Sequence, residues 1–146
     1  MVLIAAVILG YMFFLAGVAV ASPGIGFTGT LISFVPESWR DSAHVPAYGF
    51  LAWLLIQGFR WRGWPLSYAI LCGTLLTTVF GLWTEVAQGS APGRETSLHD
   101  LLNDTLGGMM AATVVLWQYR SSYPAPGLIL MRAPGLRRLM KGTLSR

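Results

Sequence analysis

The chain has 146 residues, of which 54% are hydrophobic and only 11% charged, with a formal net charge of +4. Soluble domains carry roughly 25% charged residues, so this composition argues against a soluble globular protein and for a membrane protein, and the length leaves room for a single domain. Cys72 is the only cysteine, which rules out an intrachain disulfide; within an apolar run, it reads as inert packing.

A spanning helix needs about 20 mainly apolar residues, and four segments meet or approach that length: residues 3–21, 44–59, 65–87 and 98–119. The first ends in Ala19-Val20-Ala21, which looks like a signal cleavage site. It lacks a basic lead and is long for a signal sequence, so it is read as an uncleaved helix. The second opens at His44, with Pro46 in its first turn, and Pro65 opens the third; a proline costs least there, where its missing N–H is not needed. Thr96 and Ser97 precede the fourth, and Ser97-x-x-Asp100 reads as a capping box. Gly10, Gly17, Gly73, Gly81, Gly107 and Gly108 are spaced to let helices approach closely. The expected fold is all-α: a four-transmembrane-helix bundle over residues 1–120, followed by a basic tail over residues 121–146.

Charge orients such a bundle. The second connection and the tail hold Arg60, Arg62, Arg120, Arg132, Arg137, Arg138, Lys141 and Arg146, whereas the opposite side holds only Arg40 and Arg94. The positive-inside rule then puts both termini in the cytoplasm and every acidic side chain at the extracytoplasmic end. In the tail, Leu136, Leu139 and Met140 recur at helical spacing among basic residues. That pattern fits a short amphipathic helix on an anionic leaflet, although a tail that serves only topology has the same composition.

The polar residues of the apolar half-helices converge. His44 and Tyr48 share one face, Glu85 and Gln88 another, and Asp100, Asn103 and Gly107 a third, with Asp104 offset from that stripe by about one position. Arg94 lies in the turn between the third and fourth helices. Two readings follow. In one, Arg94 ties Glu85 to Asp100, and the cluster only fixes the fold. In the other, Arg94 and the following helix N-terminus bind an anionic head group, with Glu85, Gln88, Asp100, Asn103, His44 and Tyr48 around it. Were the site catalytic, Glu85, Asp100 or His44 would be the acid–base candidates. His44, His99, Glu85 and Asp100 are acceptable metal ligands, but no HExxH or paired-cysteine spacing supports them, so no metal or cofactor is expected. A P-loop, a dinucleotide fingerprint and a nucleophile elbow are absent from the sequence. The basic tail is accounted for by topology, so no nucleic-acid partner is expected.

At these residues the chain resembles the VanZ-like family of small bacterial membrane proteins. Asp41, His44 and Tyr48 match the family's first block. Glu85, Gln88, Pro92, Gly93, Arg94, Ser97, Asp100 and Asn103 match its second, with Gly107 one place later than the strict pattern. Ser42 stands where the family usually has lysine, a cation that Arg40 can replace if the chain bends suitably. The resemblance, over residues 41–112, implies a multi-pass protein of the bacterial cytoplasmic membrane; one member is linked to low-level teicoplanin resistance. The leading functional expectation is an envelope protein binding an anionic lipid or a cell-wall-precursor head group. Two alternatives are an accessory subunit of a larger membrane complex, docking through Leu3, Val7, Met12, Phe14 and Val18 of the first helix, and a membrane enzyme acting on lipid phosphate esters.

Overall fold

A computed structural model of the protein describes residues 2–22, 24–90 and 96–122. Every regular element among them is helical: α1 (Val2–Ala19), α2 (Gly26–Ser33), α3 (Glu37–Trp61), α4 (Leu66–Gln88) and α5 (Leu98–Ser122). The chain divides into two compact units, Met1–Thr113 and Val114–Arg146. Of the second, the described part is the helical stretch 114–122; the packing below belongs to the first. The basic tail expected to lie on a leaflet falls outside the described residues. α1 and α4 are each long and apolar enough to cross a membrane, by length and composition.

The helix bounds depart from the sequence expectation in three ways. α2 was not anticipated, because eight residues make a helix of only about 12 Å and leave no spanning signature. Gly24 and Gly26 turn the chain into it with φ of 78° and 69°, values that residues with a Cβ rarely adopt. α3 begins at Glu37, seven residues before the apolar run, because Ser38, Arg40, Asp41 and Ser42 form polar helical turns that a hydropathy criterion passes over. Pro46 therefore lies inside α3 rather than in its opening turn, and it leaves the Ser42 carbonyl without its i+4 amide donor.

Small residues set the helix spacing. A methyl group at Gly107 would strike the Val45 carbonyl oxygen and come within 2.8 Å of the Gly49 amide, so α3 and α5 cross almost backbone to backbone. At Gly73 a methyl group would meet Ile56 at 2.6 Å, which marks the α3–α4 contact. Gly10 and Gly17 have open space around them and serve no such approach, contrary to expectation. α1 docks on α3 through Tyr11, whose hydroxyl donates to the Ala47 carbonyl at 3.1 Å, and through the core of Leu15, Tyr48 and Leu51. Outward faces are apolar, with Leu3, Phe13, Leu71, Val79, Leu102 and Met109 all exposed.

Gly107→Ala is expected to lower stability by about 1–3 kcal/mol, the usual cost of overpacking, because the atoms it would meet are backbone and cannot swing away. Thermal unfolding in detergent reads this, with Gly10→Ala unchanged or slightly stabilised as the control.

Candidate functional site

α3 presents Arg40, His44 and Tyr48 at successive i+4 positions, so all three lie on one face. The His44 and Tyr48 rings stack at 5.7 Å with only 5° between their planes. The His44 Nδ1–H donates to Asp104 Oδ1 of α5 at 2.8 Å. Asp104 is wholly buried. It fits because Gly81 of α4 lacks a side chain; a methyl group there would sit 2.6 Å from Asp104 Oδ2. Tyr48 reaches α4, with its hydroxyl 2.6 Å from Thr84 Oγ1. Thr84 spends its own proton on the Gly81 carbonyl at 2.8 Å, so Tyr48 is the donor in the pair.

Glu85 meets the start of α5 in a way the sequence does not suggest. Its Oε2 accepts the Ser97 N–H at 2.8 Å, while Ser97 Oγ accepts the Asp100 N–H at 3.2 Å. Half of the expected capping box is present. The other half, the acceptor for the Ser97 amide, comes from α4 rather than from Asp100. Arg94, expected to tie Glu85 to Asp100 or to clamp an anion, lies outside the described residues, as do Pro92 and Gly93.

Asn103 donates to the Asp41 carbonyl at 3.3 Å and meets His99 Nδ1 at 3.2 Å, which ties α5 to the early turns of α3. His99 itself is largely exposed and lies 4.0 Å from Asp100. Gln88 is buried and lines a cavity of about 250 Å³ between α1, α2 and α3. Leu15, Val18, Ile32 and Val35 give that cavity apolar walls, while Arg40, His44, Tyr48 and Gln88 supply its polar groups.

Several polar atoms at this end are buried without a hydrogen-bond partner among the described residues: Arg40 Nε, Glu85 Oε1, Asp100 Oδ1 and Asp104 Oδ2. Unpaired buried polar groups are expensive, and four of the five such atoms among the described residues lie at this end. His44, Glu85 and Asp104 each bring one potential metal-ligand atom within 4.8 Å of the others. The set expected from sequence differs: it includes the exposed His99 and the largely buried Asp100 in place of Asp104.

Asp104 and Thr84 are the residues that stripe-by-stripe reading missed. Each lies on the buried small-residue face of its helix, Asp104 with Gly107, Gly108 and Ala111, and Thr84 with Gly73, Thr77 and Gly81. A polar residue in register with glycines that mark a helix contact would have signalled both. No protein-family model, curated protein or solved structure matches the chain.

Thr84→Val is expected to cost about 1–3 kcal/mol, because it strands a buried tyrosine hydroxyl, whereas Tyr48→Phe removes only one bond and costs about 0.5–1.5 kcal/mol. Paired unfolding measurements in detergent test this order.

Proposed function

We propose that the protein is a multi-pass protein of the bacterial cytoplasmic membrane that binds an amphiphile with an anionic head group, a lipid or a cell-wall precursor. α1, α3, α4 and α5 are the four crossings of this reading. α2 is too short to span and covers the cavity side of the bundle. With Arg60, Arg62 and the basic tail in the cytoplasm, the cavity and the polar cluster lie at the extracytoplasmic end.

One observation carries the binding reading: apolar walls and Arg40, whose buried Nε has no hydrogen-bond partner among the described residues, line the same cavity. Apolar walls suit a lipid chain, and arginine is the side chain best matched to phosphate or carboxylate oxygens. Arg40 stands one helical turn before His44 on the same face of α3. The VanZ-like resemblance favours the same setting, an envelope membrane protein with these residues at its site, and Arg94 remains the second cation of the proposal.

Native mass spectrometry of the detergent-extracted chain, offered phosphatidylglycerol or phosphatidylcholine, tests the reading. Wild type is expected to retain phosphatidylglycerol selectively, and Arg40→Gln to lose about 10-fold or more in affinity, the equivalent of one charge-assisted hydrogen bond. Equal retention by both proteins would remove Arg40 from the site, and a stoichiometric protein partner in place of lipid would favour the accessory-subunit alternative. For topology, in a Cys72→Ala background, a cysteine at Ser90 is expected to react with impermeant maleimide in spheroplasts, and one at Arg62 only after lysis.

A further inference from the structure

We propose that His44, Glu85 and Asp104 together hold a divalent transition-metal ion, with zinc the best match to the donors. Three helices each deliver one donor, and the donor atoms lie within 4.8 Å of one another. Ligands on one small cation, each about 2.1 Å from it, stand roughly 3–4 Å apart, so modest side-chain rotation brings all three donors onto one ion, with solvent filling the remaining position. The 2.8 Å spacing of His44 Nδ1 and Asp104 Oδ1 is already close to that of neighbouring ligands. There the ion takes the place of the proton the two groups share, and that proton leaves to solvent.

The second support is unused ligand capacity. Glu85 is 4% exposed and Asp104 is fully buried, and each keeps one carboxylate oxygen with no hydrogen-bond partner among the described residues. Asp104 Oδ2 rests against Gly81, one turn before Glu85 on the same helix, so both orphan oxygens belong to one locality. The third support is charge. Two buried carboxylates this close repel, and each suffers desolvation. Protonated His44 balances one of them; a divalent ion balances both and is the larger local charge. Among the described residues, no lysine or arginine is paired with either carboxylate. The imidazole directs the choice, because nitrogen donors suit zinc, iron and copper, whereas magnesium and calcium prefer all-oxygen sites. The inference is independent of the head-group reading, since the donors and their spacing are the same whatever fills the cavity.

The test uses the full chain in detergent, stripped with chelator and titrated calorimetrically with zinc sulfate alone. We expect one equivalent per chain, with affinity weakened about 100-fold or more by Asp104→Asn and by Glu85→Gln, and unchanged by His99→Ala and Cys72→Ser, which remove the exposed histidine and the thiol. Substituting Co²⁺ in the wild type keeps the test decisive should a variant fail to fold: ligand-field bands of a four- or five-coordinate nitrogen–oxygen site are expected. Absence of saturable zinc binding to the folded wild type, undiminished binding in both carboxylate variants, loss in either control, or a Co²⁺ spectrum like that of the aqueous ion would each overturn the site.

Discussion

A buried acid set against bare backbone is the constraint on which the polar end of this protein depends. Asp104 has no exposed surface, rests on Gly81, and binds His44 across the α3–α5 crossing. A carboxylate in that position demands compensation, and only helices that approach as closely as α3, α4 and α5 do can bring the compensating groups to it. Gly49, Gly81 and Gly107 are therefore part of the site, although none carries a functional group: each removes a side chain that would hold the helices apart.

The same geometry explains why the cluster has two faces. Toward α4 and α5 it is a closed set of acids, with Glu85 capping the start of α5 and Asp104 beneath it. Toward α1 and α2 it opens, through His44, Tyr48 and Gln88, onto an apolar cavity that Arg40 also lines. His44 belongs to both faces, since its Nδ1 is committed to Asp104 while its ring lines the cavity wall. Whatever occupies the cavity would bear on the acid behind His44, and a change in that acid would be felt in the cavity.

Much of the helical plan was legible because hydropathy and length report long apolar helices directly: α1, α4 and the body of α5 lie within two or three residues of their expected bounds. Where polar residues build helix, as in the first two turns of α3, or where a helix is too short to leave a pattern, as in α2, the signal is lost. The site was legible as a set of residue types. Glu85, Gln88, His44 and Tyr48 do gather at one end, because i, i+3 and i+4 spacing fixes a shared face. Asp104 escaped because its significance comes from the glycines of another helix, and spacing within α5 alone placed it beside the stripe rather than at the centre. The role of Glu85 as a cap for α5 likewise depends on a contact between two helices, which no pattern along one helix contains.

The most direct test is a double-mutant cycle on His44 and Asp104, with each changed to alanine alone and together and unfolding free energies measured in one detergent. A buried, charge-assisted contact at the α3–α5 crossing should give a coupling well above about 1 kcal/mol. Additivity within about 0.5 kcal/mol would mean that the two side chains do not meet, and the α3–α5 crossing described here would be wrong at its central point.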